Sequence, residues 1–183
     1  MNNTKSNMRI LSVVVFLLFG ILQLSAQPYG INIGNKAPLI KGINLEGDSI
    51  KLENLKGDLV LIDFWASWCG PCVQGKPAIV EAYNQYKDAN FNKGESFKIF
   101  SVSLDQQNNR WKSTVERLGM NWEWHVSDLK GWHSEHARLY RVNSIPANFL
   151  IDGNGVIIAR NLNGPMLKKV LSEQVKTKDG VME

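Results

Sequence analysis

The sequence predicts an α/β sandwich, helices packed on the faces of a mixed β-sheet, and three observations carry that expectation. Two apolar, β-rich runs, residues 59–65 and 97–104, lack the polar alternation of a half-exposed strand and suit strands buried on both faces. Stretches with apolar residues at helical spacing follow them. Residues 148–151 and 156–160, joined by Asp152-Gly153-Asn154-Gly155, then read as a closing hairpin.

In chain order, Lys5 and Arg9 precede an apolar run over residues 10–24, with Ser25-Ala26 behind it. A basic start, a short apolar segment and a small residue at the cut describe a secretory signal, residues 1–26. The alternative is an uncleaved membrane anchor, which needs about 20 apolar residues; Ser12, Gly20 and Gln23 dilute this run. Residues 27–36, with their glycines and asparagines, form a loose lead-in to a domain spanning 37–175. Residues 39–43 and 49–52 flank Glu46-Gly47-Asp48 as an N-terminal hairpin, followed by one helical turn over 52–56. The strand 59–65 leads into a helix that opens near Cys69 and runs to Asn90, with Ile79, Val80, Ala82, Tyr83 and Tyr86 on one side and a kink at Pro77. A strand over 97–104, a helix over 108–118 ending at Gly119, an extended stretch over 122–126 and a helix over 135–140 come next. After the closing hairpin a last helix occupies 165–175, and 176–183 is a tail.

The composition, 44% hydrophobic and 21% charged, is that of a soluble globular protein long enough to bury a core. Losing residues 1–26 removes two basic residues and no acidic one, halving the formal charge of +4. What remains is too small and too scattered to argue for a nucleic-acid partner. The cleaved protein would have no stable membrane insertion.

Only two cysteines occur, Cys69 and Cys72 in the run Trp68-Cys69-Gly70-Pro71-Cys72. A bridge closing so small a loop constrains the unfolded chain little, so a structural staple is the weaker reading. A zinc site would need two further ligands, and His133 and His136 alone do not supply the spacing; no metal and no cofactor is expected. At a strand end that opens a helix, the first sulfur meets unpaired backbone N–H groups and the positive end of the helix dipole. Those favour a thiolate on Cys69, the form that attacks disulfides. Cys72 follows about one turn later and can resolve the mixed disulfide, while Pro71 lacks an N–H that a first turn does not need.

The segment Asp63-Phe64-Trp65-Ala66-Ser67-Trp68-Cys69-Gly70-Pro71-Cys72 closely resembles the active-site segment of thioredoxins. Ser144-Ile145-Pro146, followed by residues 147–152, resembles that family's cis-proline loop and next strand. The N-terminal hairpin, Ser101-Val102-Ser103-Leu104-Asp105 and the long interval between Cys69 and Pro146 look like the exported TlpA/ResA-type branch, with its inserted helix and strand. The resemblance covers roughly residues 32–172. It implies a thioredoxin-like sandwich with an N-terminal β-hairpin and a thiol-disulfide oxidoreductase. Cys69, Cys72 and Asp63 would be its catalytic residues. Trp68, Gly70, Pro71, Ile145 and Pro146 would face the substrate, with Pro146 cis and the backbone of Ile145 pairing with an extended client segment.

Asp63 lies in an apolar run where a charged side chain costs several kcal/mol to bury. Desolvation is expected to raise its pKa, and the resemblance gives it the proton of Cys72 to carry. The strand lysine that accompanies this acid in thioredoxin has no counterpart here, because the matching segment reads Phe100-Ser101-Val102-Ser103; the carboxyl is therefore expected to lack a cation. Trp65 is assigned to core packing, as are Trp111, Trp122, Trp124 and Trp132, a partner surface being the alternative for the last four.

Gly70-Pro71 matches the reducing pattern of the resemblance rather than that of strong oxidants. The expectation is an exported, periplasmic reductase acting on disulfide-containing client proteins such as apocytochrome c and supplied by a membrane thiol-electron donor. A disulfide isomerase or oxidase, and a non-catalytic binding module, are the alternatives. The Thr/Ser and Pro arrangement that precedes a peroxidatic cysteine is absent before Cys69.

Overall fold

The central strand β3 (Leu59–Trp65) is buried at every position, as its unbroken apolar run requires. Around it the structure, a computed structural model, describes residues 27–176. Before β3 lie β1 (Lys41–Ile43) and β2 (Ser49–Lys51). After it come α1 (Gly70–Tyr86), β4 (Phe97–Ser103), α2 (Asn108–Arg117), β5 (His125–Ser127), α3 (Glu135–Leu139), β6 (Ala147–Ile151), β7 (Ile157–Arg160) and α4 (Gly164–Gln174). Short 3-10 turns cover Leu52–Leu55 and Gly131–His133. The expected signal, residues 1–26, and the tail beyond Lys176 lie outside the described residues.

The seven strands form one sheet in the order β2-β1-β5-β4-β3-β6-β7. β3, β4 and β5 run parallel, through crossovers containing α1 and α2, while β1 and β6 pair antiparallel at either side. This is the mixed sheet flanked by helices that the sequence predicts. Phe64, Tyr140 and Phe149 meet in a cluster with ring centroids 5.0–6.1 Å apart, and the Tyr140 hydroxyl donates to the Pro38 carbonyl at 2.6 Å. On the side of α1, Gly164 lies so close to Ala78 that a side chain there would collide with it.

Several boundaries differ from the sequence expectation. Residues 27–36 are not a loose lead-in: Gly34 N–H donates to the Ile157 carbonyl, Ile157 N–H to Asn35, and Lys36 bridges Val156, closing one edge beside β7. α1 runs unbroken through Pro77 and stops at Tyr86, short of Asn90. Of residues 122–126 only the last two pair in the sheet, because Trp122 turns its indole inward to bond the Ser101 hydroxyl at 3.1 Å.

His125 opens β5 as a buried ring, stacked on Trp122 at 5.3 Å between centroids. Its Nε2 lies 3.0 Å from the Met120 carbonyl oxygen, which can only accept, so Nε2 carries the proton of the neutral ring. Burial pushes the pKa down to about 4; the Met120 carbonyl opposes this and the nearby Lys76 charge adds to it. Since the unfolded ring titrates near 6.5, the unfolded chain binds more protons between these values. The His125 contribution is therefore fully present above pH 6.5 and is lost as pH falls through about 4. The loss should amount to about 3 kcal/mol between pH 7 and pH 4. Urea unfolding at both pH values should find that increment in the wild type and not in His125→Phe; an equal pH response in the two proteins would contradict it.

Candidate active site

β3 passes into α1 through residues 66–69, and a buried carboxylate just beyond β4 holds that turn. Asp105 is 1% exposed and accepts from Ser67 N–H at 3.0 Å, the Ser67 hydroxyl at 2.5 Å and the Ser103 hydroxyl at 2.7 Å. The next residue, Trp68, donates its indole N–H to the Leu104 carbonyl at 3.3 Å and leaves about half its surface exposed.

Cys69 is the N-cap of α1. Its carbonyl accepts from Val73 N–H, and its Sγ accepts from Cys72 N–H at 3.2 Å. A sulfur in this position takes up one of the helix's free donors, the arrangement that favours negative charge on it. Cys69 and Cys72 are joined in a disulfide, their Cα atoms 5.2 Å apart. Both residues are largely buried, at 6% and 3% exposure, so the sulfurs are set back from the surface.

The rim in front of them is open. Gly70 and Pro71 are exposed, and a side chain added at Gly70 would meet nothing within 4 Å. Across from the helix start, the Ile145–Pro146 peptide is cis, and the Ile145 carbonyl oxygen lies 3.7 Å from Cys69 Sγ. That contact can be a hydrogen bond only when the sulfur carries a proton. Pro146 is exposed and Ile145 half-buried. The fold thus brings Trp68, Gly70, Pro71, Ile145 and Pro146 around one dithiol. Trp65, fully buried, is core.

Asp63 lies at the middle of β3, opposite Ser101 of β4 and Asn148 of β6. Ser101 does occupy the strand position where no cation was found, yet the carboxyl is not alone. Lys76 pairs with it directly, and both side chains are 1% exposed. The expectation of an unaccompanied acid fails because the cation comes from α1 instead of the neighbouring strand. Lys76 stands four residues after Cys72, on the same helix face, and that face packs on the sheet. Its ammonium also sits over the Trp65 ring at 4.8 Å from the centroid. Burial holds the Lys76 pKa below the ordinary lysine value, against the pull of Asp63.

Two other residues escaped the sequence reading. Asp105 was part of a resembling segment but had no role until Ser67 came beside it. Trp132, assigned to packing, is half exposed and meets Trp68 at 6.0 Å between ring centroids, whereas Trp111 and Trp122 are buried. Among the described residues no group of three or more His, Cys, Asp or Glu could hold a metal ion.

A family model described as AhpC/TSA matches residues 33–160. The chain is 31% identical over 146 residues to the thiol-disulfide oxidoreductase ResA of Bacillus thuringiensis subsp. konkukian, covering 80% of this chain and 78% of that one. Among solved structures, it is similar to the thioredoxin domain of a thiol-disulfide oxidoreductase from Bacteroides vulgatus, with a TM-score of 0.71, 33% identity, and coverage of 80% and 100% of the two chains. A thiol:disulfide interchange protein from a Bacteroides species gives a TM-score of 0.67, 30% identity, and coverage of 84% and 94%.

Removing one partner of the buried ion pair strands the other charge, which typically costs about 3–5 kcal/mol. Lys76→Met should therefore lose stability on that scale at neutral pH by urea unfolding, and Asp63→Leu combined with Lys76→Met should lose much less than the two single changes added together. A fully stable Lys76→Met protein would show that the pair is not closed in solution.

Proposed function

Because the chain belongs to the AhpC/TSA family and is a thioredoxin-like thiol-disulfide oxidoreductase, we propose that it reduces protein disulfides outside the cytoplasm. One observation carries the direction of attack: Cys69 Sγ accepts a helix N-terminal N–H and faces the open rim at Ile145, while Cys72 lies a turn behind it. The signal-like residues 1–26 support export to the periplasm, and Gly70-Pro71 between the cysteines supports the reducing direction.

In this reading the reduced protein presents Cys69 as a thiolate. It attacks one sulfur of a client disulfide; a bond forms from Cys69 Sγ to that sulfur, the client S–S bond breaks, and the other client sulfur leaves as a thiolate. The client strand lies along Ile145 and Pro146, with Trp68, Gly70 and Pro71 at its flank. Cys72 then gives up its proton, attacks Cys69 Sγ and releases the second client sulfur, closing the Cys69–Cys72 disulfide. The client has gained two electrons, its two thiolates take their protons from solvent, and the proton of Cys72 stays within the protein.

Asp63 is the acceptor for the Cys72 proton, and Lys76 keeps a positive charge beside the carboxyl in a site that water does not reach. A dithiol of a membrane thiol-electron donor returns two electrons to the closed pair. Clients are oxidised exported proteins with a sterically accessible disulfide, apocytochrome c among them.

A Cys72→Ser protein expressed at full length should accumulate mixed disulfides through Cys69 with extracytoplasmic proteins, dissolved by dithiothreitol and identified by mass spectrometry. The wild-type potential against glutathione should lie nearer to about −270 mV than to about −120 mV. A value at the upper figure would reverse the direction of electron flow, and adducts confined to cytoplasmic proteins would remove the export.

A further inference from the structure

Trp132 stands in the inserted segment between β5 and α3, 63 positions after Cys69, and nothing in the dithiol chemistry requires it. Its indole is nonetheless half exposed and placed against Trp68, whose own indole is half exposed beside Cys69. An exposed tryptophan on a poorly held loop would carry little information. This loop is held firmly. The Asp128 carboxylate accepts from Lys130 N–H at 3.2 Å and from Glu135 N–H at 2.9 Å, closing the loop on both sides of Trp132. Ser127 Oγ accepts from Leu129 N–H at 3.1 Å and donates to the Ser103 carbonyl at 2.9 Å, tying the loop to β4. Ser134, fully buried, caps α3.

The backbone accepts an unfavourable geometry in the same place. Leu129 has φ of +54°, a region that side-chain-bearing residues seldom occupy. Gly131 has φ of +58° and lies so near the Gln106 side chain that an added Cβ would come within 3.1 Å of it. The two half-exposed indoles in contact, Trp68 and Trp132, give the surface beside Cys69 an apolar character. Exposed apolar patches of this kind mark contact surfaces.

We propose that Trp132, with Trp68, receives an apolar side chain of the client close to its disulfide, and so makes the protein prefer peptide disulfides flanked by aromatic or large aliphatic residues. The occupant is an extended client segment, because Trp68 immediately precedes Cys69, whose sulfur lies 3.7 Å from the Ile145 carbonyl oxygen at the rim where a client disulfide must be presented. The inference rests on the reductase reading above. Trp132 is a specificity residue: it binds the client and takes no part in proton or electron transfer.

Two cyclic peptides sharing one Cys-X-X-Cys disulfide test this, one flanked by Phe and Leu and the other by Ser and Gln, with hydroxyethyl disulfide as a small reference substrate. Wild type should reduce the apolar peptide with the higher kcat/KM. Trp132→Ala should lower the ratio of apolar to polar peptide by about tenfold, equivalent to about 1.4 kcal/mol, mainly through KM, and Trp132→Phe should restore most of it. A wild type without preference, or a Trp132→Ala protein that keeps it, overturns the proposal. Failure of wild type to reduce even hydroxyethyl disulfide overturns the reductase reading and this inference with it.

Discussion

A single buried carboxylate fixes the turn that carries the redox sulfurs. Asp105 accepts three hydrogen bonds, two from Ser67 and one from Ser103, and a carboxylate out of water is tolerated only when satisfied in this way. Bonds to an ionised acceptor are roughly twice as strong as neutral ones. They tie residue 67 to residue 105, while the Trp68 indole ties residue 68 to residue 104. Two adjacent residues on one side of the turn are thereby fixed to two adjacent residues beyond β4. Cys69, the next residue, has little freedom left, and its Sγ meets the Cys72 N–H as a consequence of that anchoring. Donors held in place before the reaction cost no reorganisation during it.

A second buried charge arrangement, Asp63 with Lys76, has a different logic. A buried ion pair contributes little net stability over an apolar pair of similar volume, although breaking it is costly. Asp63 and Lys76 are therefore poorly explained as a means of holding the sheet and helix together, a task that the surrounding Phe, Leu and Ile residues already perform. Their position explains them better. Asp63 sits in the central strand beside the helix that starts with the dithiol, and Lys76 is one turn from Cys72. The Trp65 ring under the ammonium supplies a further favourable contact without bringing in water. Both charges are thus paired with each other inside the protein, on the strand and the helix that flank the dithiol turn.

Much of this was legible in the sequence, and what was not shares one cause. The apolar run of β3, the Cys69–Cys72 spacing and the Asp152-Gly153-Asn154-Gly155 turn are local signals, and the structure contains the elements they imply. Lys76 was missed although its place four residues after Cys72 was visible. The strand segment Phe100–Ser103 carries no charge, and a strand pattern does not reveal which helix residue faces the sheet. The four tryptophans after β4 are indistinguishable by type and neighbours; only the tertiary packing separates buried Trp111 and Trp122 from exposed Trp132. Residues 27–36 read as loose because glycine and asparagine composition is silent about hydrogen bonds to Ile157, more than a hundred residues away.

The inserted segment changes what the active site can discriminate without changing its chemistry. β5 lies between β1 and β4, so the N-terminal hairpin docks on inserted sequence. At one end of that segment Trp122 and His125 are buried, and at the other Tyr140 reaches the Pro38 carbonyl. The loop carrying Trp132 is clamped between these anchors and by Asp128 at its start. A side chain displayed on a preorganised loop loses less entropy on binding than one on a free loop. The sulfurs, the helix start and the buried ion pair would all function with Trp68 alone at the rim. The second indole adds an apolar surface whose natural use is to distinguish one client segment from another.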